Sequence, residues 1–151
     1  MQAAFSHINT DNPDLSAFKA RGGKLITVQG LADNLLPYPG VVRYYEQVAA
    51  QLGGLASAQS FYKLYLVPGM GHFPVNGTAN PDANPPIPPA PQVYAWLTDW
   101  VEKGAEPGRI DLATPVTAAH PRASSQPVCV YPQKATYMSG AIAAAASYTC
   151  S

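Results

Sequence analysis

Two short apolar runs in this sequence have the length and composition of buried strands. Residues 24–28 (Lys-Leu-Ile-Thr-Val) and residues 61–67 (Phe-Tyr-Lys-Leu-Tyr-Leu-Val) are continuous rather than alternating. Continuous runs of this length are typical of parallel strands that are covered on both faces. Loops containing Gly and Pro follow them, at 30–40 and at 68–91. We therefore predict two parallel strands.

Two longer segments have helical spacing instead. Residues 41–52 and 92–103 place apolar side chains three and four positions apart, which predicts an amphipathic helix in each. Glycines follow both segments, as they do at many helix ends. The order strand, loop, helix, strand, loop, helix indicates an α/β fold with a parallel sheet. Two strands are too few for a complete sheet of this kind, so we expect the last strands and helices of a larger α/β domain.

The rest of the chain carries weaker signals. Asp11 to Asp14 includes a proline and two acidic residues, which suits a helix N-terminus. Residues 105–151 show no strong period, apart from a possible helical turn at 143–146. We predict that residues 1–104 belong to the α/β core and that residues 105–151 form an irregular tail packed on it.

Composition narrows the classes of function. The 151 residues hold nine basic and nine acidic side chains, and charged residues make up 12% of the chain. A balanced charge without a basic run argues against nucleic acid or an anionic membrane as partner. No apolar stretch approaches the roughly 20 residues of a membrane span. The start lacks a signal-peptide pattern, so we expect either a cytosolic protein or a chain whose N-terminal part is missing.

Two loops hold the residues with catalytic chemistry. Asp33 lies five residues after Val28, and His72 lies five residues after Val67. Since parallel α/β sheets place active groups beyond the carboxyl ends of strands, the two side chains should meet. A carboxylate there would fix the imidazole tautomer, and acid followed by His is the triad order of α/β hydrolases. The alternative is an Asp that caps a turn and a His that packs at a strand end.

A nucleophile is not evident. The sequence contains no Gly-x-Ser-x-Gly pattern. Ser57 and Ser60 follow the first predicted helix, at the wrong end of the sheet, and the later serines fall in the predicted tail.

Several segments together resemble the tannase and feruloyl esterase family. The similarity covers nearly the whole chain, with a divergent loop at 73–91. The segments that carry it are Asn12 to Ile26 (Asn-Pro-Asp-Leu-Ser-Ala-Phe-Lys-Ala-Arg-Gly-Gly-Lys-Leu-Ile), Gly30-Leu-Ala-Asp33, Phe61 to His72 ending in Val-Pro-Gly-Met-Gly-His, Asp99-Trp-Val-Glu-Lys-Gly104, Cys129-Val-Tyr-Pro and Tyr148-Thr-Cys150.

The resemblance implies a partial α/β-hydrolase fold and a serine carboxylic ester hydrolase that acts on aromatic (phenolic) esters. Asp33 and His72 match the family's acid and base, whereas its nucleophilic serine and lid precede this segment. The chain would then be a C-terminal portion, inactive alone, that associates with the remainder of the hydrolase domain or with itself. One departure is Phe73, because the family commonly has at this position a cysteine bonded to one beside the nucleophile.

Cys129 and Cys150 are the two cysteines, 21 residues apart in the predicted tail. A disulfide there would contribute on the order of 3 kcal/mol by restricting the unfolded chain. The alternative is a pair of free thiols in a cytosolic protein. The resemblance also favours an oxidising compartment, so we expect a disulfide and a secreted or periplasmic location.

The remaining candidates are weaker. His7, His72 and His120 share no ligand spacing with the cysteines, so we expect no metal site, and we predict no cofactor. Leu35, Leu36 and Tyr38 either line a site or pack within their loop. The helical aromatic residues are expected to pack against the sheet rather than bind substrate; they are Tyr44, Tyr45, Trp96 and Trp100.

The competing hypothesis is a non-catalytic α/β binding or assembly module that retains the strand-loop-helix frame. A Gly-x-Ser-x-Gly pattern encoded upstream of Met1 would favour the enzyme.

Overall fold

The computed structural model describes residues 10–151, and a parallel strand pair lies at its centre. The two strands pair along their whole length, with Leu25 opposite Tyr62 and Gly30 opposite Val67. The elements in chain order are α1 (Ser16–Ala20), β1 (Leu25–Gly30), α2 (Tyr38–Gln51), α3 (Leu55–Gln59), β2 (Tyr62–Val67), α4 (Ala90–Lys103), β3 (Ile110–Thr114), β4 (Ser124–Val128), β5 (Ala135–Tyr137), a 3-10 helix (Ala145–Ser147) and β6 (Tyr148–Cys150).

One face of the strand pair is covered by α2. Tyr62 and Leu64 of β2 point to this face and pack against Tyr45 and Val48, which are fully buried. Each large apolar side chain buried in this way stabilises the fold by roughly 1.5–3 kcal/mol. The helical spacing of residues 41–52 therefore reflects this packing.

The other face is covered by α4 and by the C-terminal strands. Tyr65 and Val67 point to this side and form a buried cluster with Met70, Leu112 and Val128. Helical and C-terminal segments on opposite faces explain why the two strands are apolar along their whole length.

Residues 105–151 are more regular than the sequence indicates. β3 pairs antiparallel with β4, and β5 pairs antiparallel with β6. The prediction of an irregular tail is wrong in this respect, because strands of three to five residues are too short to show a period. β4 also contains Pro127, which strand patterns normally exclude.

The helices differ from their predicted bounds at their N-termini. α2 and α4 begin at Tyr38 and Ala90 because each accommodates a proline, Pro39 or Pro91, in its first turn. A helix does not use the N–H groups of its first turn, so proline is tolerated there.

The two short helices also depart from the prediction. The predicted start at 11–14 is wrong, since Asn12 and Asp14 form side-chain turns and α1 begins at Ser16. The short helix α3 lies where we predicted only a connection.

Residues 105–151, the C-terminal segment, are attached to the edge of β2 that faces away from β1. Val130 forms a β-bridge with Tyr65, and the Tyr131 backbone N–H donates to the Leu64 carbonyl at 2.8 Å. Lys63, which is buried, forms an ion pair with Glu106 at the start of the same segment. β2 is therefore covered on both of its edges.

The opposite edge of the sheet is formed by β1. Within residues 10–151, β1 pairs with β2 and with no other strand. Leu25 donates its N–H to Phe61, so in a parallel ladder the N–H groups of Ile26 and Val28 face away from β2. We call this side the open edge of β1.

Among residues 10–151, every helix falls short of the length and apolar character that a membrane span requires.

Candidate active site

The loops that follow β1 and β2 are bonded to each other at the carboxyl ends of the strands. Leu31 donates its N–H to the Val67 carbonyl and Ala32 donates to the Met70 carbonyl, each at 3.0 Å. Since the strands are parallel and pair from Leu25–Tyr62 to Gly30–Val67, both loops leave the sheet at the same end, that of the strand carboxyl termini. The residues that follow are thereby held close together.

Gly30 permits this close approach. A Cβ atom at position 30 would lie 2.1 Å from the Met70 carbonyl oxygen, far inside van der Waals contact. The last residue of β1 therefore has no room for a side chain, and glycine is required for the two loops to touch.

Asp33 occupies the centre of the first loop and is almost completely buried. Its Oδ1 accepts hydrogen bonds from the backbone N–H groups of Leu35 and Leu36, both at 2.9 Å. Its Oδ2 accepts from the Gln29 side-chain amide at 3.2 Å and lies 3.0 Å from His72 Nδ1. Each carboxylate oxygen thus has two partners.

These hydrogen bonds determine the charge of Asp33. Burial alone would raise the pKa of this carboxyl, but donors at Leu36, His72, Leu35 and Gln29 outweigh it. The pKa falls from 3.8 to about 2. Asp33 is therefore a carboxylate at any pH near neutrality.

The charge of Asp33 fixes the tautomer of His72. An ionised carboxylate only accepts hydrogen bonds, so Nδ1 of His72 carries a proton and donates it to Oδ2. Nε2 is then the ring nitrogen that can exchange a proton with another group. The His72 side chain is 31% exposed, whereas that of Asp33 is 4% exposed. The pair thus joins a buried anion to an accessible base.

An apolar cleft of about 420 Å³ begins beside His72. It lies between α4 and the side chains of Ile26 and Val28. The other residues that line it are Met70, Pro74, Pro88, Ala90, Val93, Tyr94 and Leu97. Exposed apolar surface of this kind is typical of a site where another segment or ligand packs.

The other aromatic and aliphatic candidates fall into an exposed group beside Asp33 and a group packed in the core. Leu35 and Leu36 are 66% and 58% exposed, so the loop does not pack them, and Tyr38 is exposed as well. Tyr45 and Trp100 are buried, and Tyr44 and Trp96 pack at the edges of the two core clusters. Core packing is therefore the role of the helical aromatic residues.

Phe73 stands beside the imidazole. Its ring centroid lies 5.0 Å from that of His72, with the two planes at 80°, and the side chain is 66% exposed. This edge-to-face contact is a favourable arrangement of two rings.

Among residues 10–151, the structure shows no serine hydrogen-bonded to His72. Ser57 and Ser60 lie in and after α3, at the amino end of β2, and bond to Lys19 and to each other. Ser124 bonds to Thr114, and Ser125 accepts from the Ala145 backbone. These four serines are thus engaged elsewhere.

The remaining predicted residues lie away from this pair. Cys129 and Cys150 form a disulfide that joins β6 to the residue after β4. His120 contacts the Asp82 carbonyl, and His7 lies outside the described residues. In the described part of the chain, no three His, Cys, Asp or Glu side chains are grouped as metal ligands.

Sequence reasoning missed Gln29 and Gly30. Both follow the predicted strand at 24–28, where a polar residue or a glycine is ordinary, whereas in the structure they are the last two residues of β1. The signal that could have found them is their position at the carboxyl end of the strand, four and three residues before the predicted acid, since residues at a strand terminus contact the following loop.

Comparison of the sequence with known proteins gives a family model and several related hydrolases. Residues 1–151 match the family model described as tannase and feruloyl esterase. An esterase of Xanthomonas campestris pv. campestris is 35% identical over 156 residues, covering 91% of this chain and 27% of that protein. A mono(2-hydroxyethyl) terephthalate hydrolase of Piscinibacter sakaiensis is 32% identical, covering 99% of this chain and 23% of that protein.

Solved structures show the same fold. Tannin acyl hydrolase from Aspergillus niger superposes with a TM-score of 0.78 at 28% identity, over 99% of this chain and 26% of that one. Feruloyl esterase B from Aspergillus oryzae gives 0.73 at 24% identity, over 93% of this chain and 29% of that one. The chain spans about a quarter of the length of the proteins it matches.

Proposed function

The chain belongs to the tannase and feruloyl esterase family of carboxylic ester hydrolases, and on that premise we propose that it supplies the acid and base of a Ser-His-Asp triad. The observation that carries the proposal is the bond between Asp33 Oδ2 and His72 Nδ1, at 3.0 Å. It lies at the carboxyl ends of two parallel strands, where α/β enzymes hold their catalytic groups. A capping Asp and a packed His would not need this alignment.

The chemistry follows from the two nitrogens of His72. Nε2 takes the proton of a serine hydroxyl as the serine oxygen attacks the ester carbonyl, and it then gives that proton to the leaving alcohol or phenol. A water molecule repeats the sequence on the acyl-enzyme, so the serine is regenerated and the acid is released. Asp33 remains ionised and stabilises the imidazolium that forms at each proton transfer.

We place the nucleophile and the oxyanion hole outside these 151 residues. This chain spans about a quarter of the length of its relatives, and no serine among residues 10–151 is hydrogen-bonded to His72. A base and its orienting acid cannot transfer an acyl group without a nucleophile within about 3 Å of the base. The chain alone is then inactive and works as the C-terminal portion of a hydrolase domain.

The open edge of β1 is the proposed junction with the rest of that domain. The N–H groups of Ile26 and Val28 face this edge, and their side chains line the apolar cleft beside His72. A further strand pairing here would bury both features. Residues 1–104 then belong to the hydrolase core, and residues 105–151 form its terminal layer on β2.

Aromatic, phenolic esters are the proposed substrates. Relatives of this chain carry the names feruloyl esterase and tannase. Leu35, Leu36 and Phe73 are apolar, exposed, and next to Asp33 or His72 along the chain. Apolar surface beside a catalytic pair favours a flat, weakly polar substrate group.

A secreted or periplasmic location is part of the same proposal. The Cys129–Cys150 disulfide supports it, because disulfides persist mainly in oxidising compartments.

Labelling of the reactive serine tests the proposal. The full product of the gene that contains this sequence would be treated with a fluorophosphonate, digested, and analysed by mass spectrometry. We expect one labelled serine outside residues 1–151, and much slower labelling in a His72→Asn variant, with His120→Asn as control.

Two results would contradict the proposal. A labelled serine inside residues 1–151 would show that the nucleophile has been misplaced. Absence of labelling, together with no hydrolysis of methyl ferulate or methyl gallate, would favour a non-catalytic binding or assembly module.

A further inference from the structure

Gln29 is a buried polar residue whose partners all belong to the site. It is the second-last residue of β1 and is 7% exposed. Its side-chain nitrogen lies 3.2 Å from Asp33 Oδ2, 3.0 Å from the Leu36 carbonyl oxygen and 3.1 Å from its own neighbour's carbonyl oxygen at Gly30.

Core packing does not account for a glutamine at this position. Gln29 follows Leu25 and Thr27 on the same face of β1, where Leu25 packs into an apolar cluster. An amide buried there costs free energy unless it is hydrogen-bonded, whereas an aliphatic side chain would not. The amide therefore requires a reason, and its partners indicate one.

We propose that Gln29 is a positioning residue, which holds the Asp33 carboxylate and its loop in the orientation that binds His72. The proposal rests on the function proposed above for Asp33 and His72. Gln29 acts through Asp33 and is not assigned any contact with substrate.

The hydrogen-bond pattern gives the amide two tasks. On Oδ2, it is the second donor beside His72, so the oxygen is held from two directions. On the loop, it holds the carbonyl of Leu36, whose N–H is already bonded to Asp33 Oδ1. Leu36 is thus fixed at both ends of its backbone unit, and the loop is closed around the carboxylate.

Removing the amide donor should change Asp33 and His72 together. The amide also contributes to the low pKa of Asp33, because a donor to a carboxylate favours its charged form. His72 is the titratable side chain in hydrogen-bond contact with this carboxylate. Without the amide, Oδ2 retains only the imidazole as partner and the loop loses its closing bond.

Titration of the 151-residue chain by NMR tests the proposal. The variants are Gln29→Leu, which removes the donor, and Gln29→Glu, which keeps the shape but introduces a second carboxyl. The titration midpoint of the Asp33 side-chain carbon should rise by at least about half a unit in the first variant. In the second, two carboxyls share the site and should lose their protons in two steps, the later of which should lie well above the Asp33 midpoint of the unaltered chain.

Two further signals separate positioning from a merely structural role. The Nδ1 proton of His72 should move upfield and exchange faster with water in both variants. The control is Gln51→Leu, at an exposed glutamine at the end of α2. It should change neither the Asp33 midpoint nor the His72 Nδ1 proton. In the unaltered chain, the Gln29 amide protons should shift with the same midpoint as Asp33, a measurement that needs no variant to fold.

Specific results would overturn the proposal. An Asp33 midpoint that stays the same in a folded variant, even one of lower thermal stability, would leave Gln29 a packing residue. Gln29 amide protons that do not respond to Asp33 ionisation would do so too. These readouts need no catalysis, so failure of the proposed esterase function would appear separately, as an inactive gene product with normal Gln29 titrations.

Discussion

The Asp33 carboxylate accepts four hydrogen bonds, and this number sets the pH range over which the pair with His72 persists. The pKa is lowered from 3.8 to about 2, so the folded state binds a proton less readily than the unfolded state. The stabilisation is therefore fully present above the unfolded value and is lost as the pH falls from about 4 towards 2.

Comparing the chain with its Asp33→Asn variant isolates this contribution. We expect the difference in free energy of unfolding to shrink as the pH falls from 3.8 towards about 2. Urea denaturation at a series of pH values measures it. A difference that stays constant down to about pH 2 would show that the pKa of Asp33 is not lowered by folding.

Gly30 carries a second prediction at the scale of one residue. Gly30→Ala forces a methyl group against the Met70 carbonyl, so the loops that hold Asp33 and His72 must separate. We expect a loss of roughly 1–3 kcal/mol in the free energy of unfolding, measured by urea denaturation.

Gly40→Ala is the matched control. Its Cβ would meet nothing within 4 Å, and the residue lies inside α2. It should be neutral or should stabilise the chain by up to about 1 kcal/mol. Equal stability of the two variants would contradict the close approach at Gly30.

How far the site can be predicted from sequence depends on the kind of residue. Asp33 and His72 could be proposed because each follows a predicted strand by five residues and because both match the acid and base of the family that the chain resembles. Gln29 and Gly30 are not visible, because what matters is the loop that each one meets, and that loop is brought close only by the pairing of β1 with β2. The local spacing of residues in a sequence does not show which of them contact each other across the sheet.

At the scale of elements, the disulfide is the feature whose contribution is most readily measured. Cys129 and Cys150 enclose a loop with a sequence separation of 21 and join β6 to the end of β4. Restricting the unfolded chain in this way contributes about 3 kcal/mol. We expect reduction to lower the free energy of unfolding by this amount, as measured in urea with and without reductant.

A variant with both cysteines changed to serine controls for the reductant. It should match the reduced chain and should not respond to reductant. Unchanged stability of the unmodified chain on reduction would show that the C-terminal strands hold their place without the bond.

The elements that were predictable are those with repeated apolar positions. β1 and β2 are apolar along most of their length, and α2 and α4 place apolar side chains three and four positions apart, so each leaves a pattern in the sequence. β3 to β6 are three to five residues long and depend on pairing with each other and on the disulfide. Tertiary contacts, rather than local pattern, decide such short strands.

At the scale of the whole molecule, the open edge of β1 predicts association. Among residues 10–151 no further strand pairs with this edge, and such an edge beside an apolar cleft favours a second surface, either from the remainder of a hydrolase domain or from another copy of the chain. We expect the 151-residue chain to self-associate in sedimentation velocity experiments as its concentration is raised.

Tyr94→Lys should weaken this association, because Tyr94 lines the cleft and is 69% exposed. Met138→Lys, at a residue 66% exposed beyond β5, should leave it unchanged. A chain that stays monomeric at all concentrations, or an equal effect of both substitutions, would contradict this use of the open edge.

The role of His72 as catalytic base is tested by comparing the hydrolysis rate of a phenolic ester between the full gene product and its His72→Ala variant. If His72 is the catalytic base oriented by Asp33, kcat should fall by a factor of at least about a thousand while the fold is kept. His120→Ala, which removes a histidine outside the site, should retain nearly all activity. Activity that survives the loss of His72 would show that another group is the catalytic base.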